Sequence, residues 1–200
     1  MRTVLALGLM LALPQGQGGA VALDNAWVRV TRNAAPCASA RAAGCGHRVI
    51  VALGDTEVRV GGTARGMTRG DIAVFAPGEA HEPPTGGPFF EVALKPDHPP
   101  IQSPPEHIAP DKNVVRYDGE RFFIFEERLD PGETRARHSH NQRVVMQLNR
   151  TRLEQWPDGQ PAIIRDIEPD RVGFNEPVIH VVKNVGDLPL RGIVIELKSR

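Results

Sequence analysis

Short stretches of alternating or apolar residues, each followed by a turn residue, recur along the chain. Residues 48–95 contain RVIVALGD, TEVRVGG, DIAVFAPG and FFEVALK, and residues 120–198 contain ERFFIFEERL, RVVMQLN, RVGFN, VIHVVKN and GIVIELK. Runs this short, rich in Val, Ile and Phe and separated by Gly, Pro and Asp, are typical of β-strands, and no stretch has sustained helical periodicity. The pattern therefore predicts an all-β sandwich or barrel.

The chain contains an internal repeat. A shift of 95 residues aligns Arg48 with Arg143, and a shift of 99 residues aligns His81 with His180. The shift only grows along the chain, which indicates loop insertions in the second copy. The repeat predicts two β-barrel lobes in tandem.

A proline-rich segment separates the two copies. Residues 96–116 contain six prolines, which favour extended polyproline geometry over sheet pairing. We therefore expect an N-terminal lobe at residues 23–95, this segment as a connector, and a C-terminal lobe at residues 117–200. No regular element fixes His98 and His107 of the connector, so both are expected to be solvated.

The first 22 residues have the three parts of a secretory signal peptide. Arg2 gives a basic start, residues 4–14 form an apolar stretch, and the Ala-Val-Ala at 20–22 fits a cleavage site. The apolar stretch is shorter than the ~20 residues that a membrane span needs. We expect an exported protein, periplasmic or secreted and not embedded in a membrane, whose mature chain begins near Leu23.

Charge narrows the classes of partner. The chain has 24 basic and 24 acidic side chains, and 40% of its residues are hydrophobic, as in ordinary globular proteins. Binding nucleic acid without sequence preference requires a surplus of basic charge that displaces counterions from phosphates. The sequence therefore predicts a small-molecule partner and no nucleic acid.

The chain has two cysteines, Cys37 and Cys45, in a segment rich in Pro, Gly and Ala. An exported protein meets an oxidising compartment, so the simplest prediction is a disulfide that closes a small loop. A thiolate metal ligand stays open as an alternative, because Cys45 aligns with His140 in the repeat.

Three histidines could form a metal centre in the second lobe. His138 and His140 are two residues apart, so in a strand they point to one face, which in a barrel is the interior. His180 comes from a strand distant in sequence. Three neutral imidazoles in one cavity can hold a divalent transition metal and leave positions open for water or a ligand.

These residues resemble the two motifs of the cupin superfamily. The first motif has a Gly, a His-x-His and a Glu three or four residues later, and Gly132, His138 and His140 match its beginning. The second has a His and a later Asn, to which His180 and Asn184 are similar. The resemblance covers both repeats and implies two small jelly-roll barrels. It implies no particular reaction, because cupins host many unrelated activities.

The sequence departs from the first motif at its glutamate. That residue should fall at Val144 or Val145, and neither side chain can bind a metal. The resemblance therefore implies a three-histidine centre on His138, His140 and His180, as in some cupin oxygenases. The metal could be iron, manganese or zinc, which the ligand types do not separate.

Residues near the motif suggest further ligands. Gln142, or Glu126 or Glu127 on the preceding strand, could supply an oxygen to the metal. Arg143 has Arg48 as its repeat partner, and a guanidinium at a barrel mouth can clamp a carboxylate or phosphate. Gln142 and Arg143 are thus candidate ligand-binding residues for a small anionic molecule. A structural ion pair of Arg143 with an acid on a neighbouring strand is the alternative.

The first lobe has lost its ligands. The repeat places Ala43 and Cys45 opposite the histidines of the His-x-His motif. His81 remains, with His47 nearby in sequence, and two histidines alone hold a metal poorly. We expect this lobe to be structural.

Taken together, the residues predict an exported cupin that binds a divalent metal, a small anionic ligand or both in its C-terminal barrel. No catalytic residue is assigned. One alternative is a metal-dependent enzyme of the oxygenase or isomerase type, which would use the three-histidine centre. The other is a metal-free structural or interaction protein. The sequence leaves homodimer formation open.

Overall fold

A computed structural model of the chain describes residues 19–38 and 43–199. Most of the predicted signal peptide, residues 1–18, lies outside the described residues. The first lobe contains β1 (Ala20–Asp24), β2 (Val28–Arg32), β3 (Arg48–Ala52), β4 (Thr56–Val60), β5 (Thr63–Met67), β6 (Ile72–Phe75), β7 (Thr85–Gly86) and β8 (Phe89–Leu94). The second contains β9 (Asn113–Asp118), β10 (Phe122–Leu129), β11 (Thr134–His140), β12 (Arg143–Gln147), β13 (Thr151–Pro157), β14 (Ile163–Ile167), β15 (Val172–Asn175), β16 (Val178–Asn184) and β17 (Leu190–Leu197).

Each lobe is built from two antiparallel sheets. The first lobe has a five-stranded sheet in the order β1-β2-β8-β3-β6 and a three-stranded sheet in the order β5-β4-β7. The second has a five-stranded sheet, β15-β12-β17-β10-β9, and a four-stranded sheet, β11-β16-β13-β14. The described residues form no α-helix, and none of them belongs to a helix long and apolar enough to span a membrane. The predicted all-β fold with two tandem jelly-roll barrels is confirmed.

The five-stranded sheets of the two lobes share one hydrophobic core. Val49 and Val51 of β3 and Val144 and Met146 of β12 are fully buried in it. Because side chains alternate along a strand, Ile50 points to the other face and packs inside the first barrel. Strand β3 is therefore buried on both faces, and the two lobes pack sheet against sheet.

Specific contacts fix the same junction. Arg69 of the first lobe donates from Nε to the carbonyl of Leu148 at 2.8 Å, and its Nη2 lies 2.5 Å from Asp170. Trp27 stacks on Phe174, with ring centroids 5.3 Å apart. Directional contacts of this kind restrict the sliding that apolar packing alone would permit.

The connector lies along the second lobe. The segment without strands runs from the end of β8 at Leu94 to the start of β9 at Asn113, which lies four residues before the expected lobe boundary. The backbone N–H of Gln102 donates to Oε1 of Gln142 at 3.0 Å, and the N–H of Ser139 donates to the carbonyl of Ile108 at 3.0 Å. These bonds hold the connector beside β11 and the start of β12.

Two features near the amino terminus bear on export. Cys37 and Cys45 form a disulfide, as predicted, so Cys45 is not a thiolate ligand. Strand β1 begins at Ala20, so cleavage after Ala22 would shorten this edge strand and leave β2 complete.

Candidate metal centre

Two paired strands bring the three predicted histidines together. Strands β11 and β16 run antiparallel, and His138 lies directly opposite His180. His140 points to the same face as His138 because the two are separated by one residue. The exposed fractions of His138, His140 and His180 are 0%, 2% and 5%. A register shift between Arg135 and His138 marks a β-bulge.

The three imidazoles form a compact group. Their ring centroids are 4.6 Å apart for His138 and His180, 4.7 Å for His138 and His140, and 5.3 Å for His140 and His180. One nitrogen from each ring lies within 4.8 Å of the others. In the described residues this is the only group of three such side chains. The spacing permits three nitrogens to share one metal ion.

The hydrogen bonds of the rings show which nitrogens are available. His138 Nδ1 lies 2.7 Å from the carbonyl of Ala136. A carbonyl only accepts, so Nδ1 carries the proton and Nε2 keeps its lone pair. Nε2 of His138 and Nε2 of His180 are buried and have no hydrogen-bond partner. Buried polar atoms without a partner are costly, and a transition metal would satisfy both nitrogens.

A glutamate that the sequence did not predict supports His140. Nδ1 of His140 lies 2.5 Å from Oε1 of Glu196 on β17, a strand of the other sheet. Carboxylates bonded to the second nitrogen of a histidine ligand fix its tautomer and orientation. The one sequence feature that could have indicated this role is that Glu196 is the single charged residue in the apolar run GIVIEL.

Burial sets the charge of these groups. It lowers the pKa of His138, moves the pKa of His140 well below its ordinary value, and lowers the pKa of His180 to about 3. Burial also raises the pKa of Glu196 to about 7. The imidazoles are therefore neutral near pH 7, as metal ligation requires.

A cavity of about 80 Å³ adjoins two of the histidines. Its lining includes His140 and His180, the arginines Arg143 and Arg165, and Val145. Val144 instead lies in the core between the lobes. Val145 therefore points into the barrel at the position where the first cupin motif has its glutamate.

The two glutamates of β10 face opposite sides. Glu127 lines the cavity and accepts a hydrogen bond from Nη1 of Arg135 at 2.6 Å. Glu126 is fully buried on the other face, where it pairs with Arg116, among other arginines. The expectation that Glu126 could ligate the metal is wrong, because the arginines hold its carboxylate and lower its pKa to about 2.

Gln142 and Arg143 are engaged with loops. The side-chain amide of Gln142 is bonded outside the histidine group: its Oε1 accepts from the Gln102 N–H, and its Nε2 donates to the Glu176 carboxylate at 2.8 Å. These bonds hold Gln142 beside the connector, and its role as an oxygen ligand stays a prediction. Nη1 of Arg143 donates to the backbone carbonyls of Glu176 and Asn141 at 2.9 and 3.3 Å. Arg143 lines the cavity, and these two hydrogen bonds go to the main chain and not to an acid.

The first lobe has a buried polar cluster where the second has its histidines. Arg48 is fully buried and donates to the carbonyl of Glu79, much as its repeat partner Arg143 bonds a loop carbonyl. Nε2 of His81 lies 3.7 Å from Glu91, and both side chains are buried. This pair with a neighbouring cation is a poor metal site, and the structural role of the first lobe stays a prediction.

Comparison with known proteins supports the fold. No family model and no curated protein matches the sequence. Oxalate decarboxylase from Bacillus subtilis superposes with a TM-score of 0.55 at 12% identity, over 86% of this chain and 68% of that one. AerE from Microcystis aeruginosa gives 0.53 at 15%, over 86% and 87%. A cupin 2 conserved barrel domain protein from Leptotrichia buccalis gives 0.50 at 14%, over 90% and 88%.

Proposed function

The chain has the cupin fold in two tandem barrels, and we propose that its C-terminal barrel binds one divalent transition-metal ion. His138, His140 and His180 would hold the ion. The observation that carries this proposal is the pair of buried Nε2 atoms, on His138 and His180, that have no partner. Neutral imidazoles, of which His138 and His140 are held at Nδ1 by other groups, are suited to iron, manganese or zinc.

The charges around the cavity favour a small anionic ligand. Arg135, Arg143 and Arg165 face two carboxylates, Glu127 and Glu196, so the side chains carry a surplus of one positive charge when both acids are ionised. A bound divalent ion would add two more. Three protein ligands leave coordination positions open, and a carboxylate oxygen of the ligand would suit such a position.

We propose binding and assign no reaction. The metal, when bound, would polarise an oxygen of the ligand or of water. An enzyme that moves a proton, such as an isomerase, would need a placed acid or base in addition. Two acids near the histidines are already engaged, Glu196 with His140 and Glu127 with Arg135.

We also propose that the protein is exported. The signal-peptide pattern of residues 1–22 supports this, and the disulfide between Cys37 and Cys45 is compatible with an oxidising compartment. Amino-terminal sequencing of the protein from its native host should give Leu23 as the first residue of the extracytoplasmic form. Recovery of the intact leader in the cytosol alone would contradict export.

The metal proposal can be tested by titration of metal-free protein with Zn²⁺ and Co²⁺. Wild type should bind about one equivalent, and Co²⁺ should give the visible absorption of a nitrogen-rich site. Replacing His138 or His180 with Ala should abolish tight binding. His107→Ala, in the connector, is the matched control and should behave as wild type. Equal binding by wild type and His138→Ala would reject the proposed centre.

A further inference from the structure

A cleft lies at the junction of the lobes beside Arg121, the residue before β10. It consists of two cavities of about 370 Å³ and 350 Å³, and Pro96, His98 and Arg121 line both. None of the residues lining either cavity lines the cavity beside His140 and His180. The cleft is therefore separate from the candidate metal centre.

The guanidinium of Arg121 is buried without a counter-charge. Arg121 is 5% exposed, and its Nε is buried with no hydrogen-bond partner. Its Nη2 donates to Nε2 of His98 at 2.6 Å. Among residues 19–38 and 43–199, no carboxylate forms an ion pair with it.

His98 does not neutralise Arg121. Nδ1 of His98 lies 2.7 Å from the carbonyl of Pro99, so Nδ1 carries the proton and Nε2 accepts from Arg121. His98, expected to be a solvated loop residue, lies in the connector partly exposed, and its contact with Arg121 orients a buried arginine.

The other charged groups of the cleft leave Arg121 uncompensated. Lys95 is paired with Asp24 at 2.6 Å. Glu120 is the one carboxylate among the described lining residues, and it is exposed to solvent. A buried charge is costly unless it is paired and hydrogen-bonded.

We propose that this cleft is a binding site for a small oxyanion, a carboxylate or phosphate, which Arg121 recognises. The planar guanidinium fork matches two oxygens of either group. Both cavities have space for such a molecule, and junctions between domains are frequent ligand sites. Binding here stabilises the contact between the lobes, because Arg121 belongs to the second lobe and Lys95, which lines the same cavity, follows the last strand of the first.

Calorimetric titration of the metal-free full chain with inorganic phosphate and with acetate tests this site. Removing metal prevents either anion from binding through a metal in the histidine centre. Wild type should bind one equivalent of at least one of the two, and Arg121→Gln should weaken that binding by about tenfold or more. Arg121→Lys keeps the charge without the fork and should give an intermediate loss. Arg150→Gln, an exposed arginine paired with Glu168, is the matched control.

Thermal unfolding supplies a second readout. The bound anion should raise the Tm of wild type and of Arg150→Gln, and leave the Tm of Arg121→Gln unchanged. If Arg121→Gln does not fold, the loss of anion affinity in Arg121→Lys tests the proposal in its place. The proposal would be overturned if wild type bound neither anion. It would also be overturned if Arg121→Lys and Arg121→Gln bound the anion as tightly as wild type does.

Discussion

Nδ1 of His140 and Oε1 of Glu196 lie 2.5 Å apart across the second barrel. His140 belongs to the four-stranded sheet and Glu196 to the five-stranded sheet, so this contact links the two. It occupies Nδ1 and leaves Nε2 of His140 as the nitrogen available to a metal. The two sheets together, and not β11 alone, therefore orient the ligand set.

Glu196→Gln should weaken metal binding and leave one equivalent bound. A glutamine retains an oxygen acceptor for His140 and loses the negative charge that makes the imidazole more basic, and such outer-shell changes cost about tenfold to a hundredfold in affinity. Competition with a chromophoric chelator measures the change. Glu168→Gln, in an exposed ion pair with Arg150, is the control. Unchanged affinity in Glu196→Gln would show that this carboxylate has no part in the centre.

Val145→Glu should add a fourth ligand. Val145 lines the histidine cavity, so a glutamate there would point at the metal and should tighten binding by about tenfold. Val144→Glu is the matched control for which side of β12 faces the histidines. Val144 is fully buried between the lobes, so a charge there should lower stability without improving metal affinity. If Val144→Glu tightened binding and Val145→Glu did not, the assignment of the two faces of β12 would be reversed.

Glu91 should make the stability of the protein depend on pH. Burial raises its pKa to about 7 from an ordinary value of 4.5, so the folded chain holds this proton more tightly than the unfolded chain. The nearby Cys37 N–H and Arg48 act in the opposite direction. The contribution of Glu91 is full below pH 4.5 and falls as pH rises to about 7.

Glu91→Gln removes this titration. Relative to wild type, the free energy of unfolding of the variant should rise by about 1–3 kcal/mol between pH ~4.5 and pH ~8. Urea unfolding across that range measures it, and the comparison cancels titrations that both chains share, such as those of the buried histidines. A difference that stays constant with pH would show that folding does not raise the pKa of Glu91.

The lobes should unfold together. Their five-stranded sheets share one core, so neither can be exposed without loss of the other's packing. Trp27 reports on the junction and Trp156 on strand β13 of the second lobe. Each of the variants Trp27→Phe and Trp156→Phe keeps one tryptophan, whose fluorescence follows urea unfolding near that residue. For each variant the fluorescence and circular dichroism curves should coincide, and the dependence of the free energy of unfolding on urea should be the same in both variants. A tryptophan signal that departs from the dichroism curve of the same variant would indicate independent lobes.

Local pattern predicted much of this molecule because the determining interactions are local. Alternation along short runs predicts strands, and the one-residue spacing of His138 and His140 places them on one face wherever the strand lies. The disulfide between Cys37 and Cys45 follows from composition and compartment. His180 required the repeat and the cupin resemblance, since nothing near it in sequence indicates its partners.

The remaining features depend on how sheets face each other. The inward side of β10 could not be assigned from sequence because both of its faces are buried, so Glu126 and Glu127 occupy similar patterns and different surroundings. The contact of Glu196 with His140 and that of Arg121 with His98 each join elements far apart in sequence. Pairings between such elements are set by tertiary packing, which alternation does not encode.

Metal content of the protein, purified without an affinity tag, tests the central claim most directly. Elemental analysis as purified and after reconstitution should give about one equivalent of iron, manganese or zinc for wild type, as a three-histidine site predicts. The His138→Ala, His140→Ala double variant should retain almost none. A wild-type content below about a tenth of an equivalent after reconstitution, far under the stoichiometry of such a site, would contradict the account.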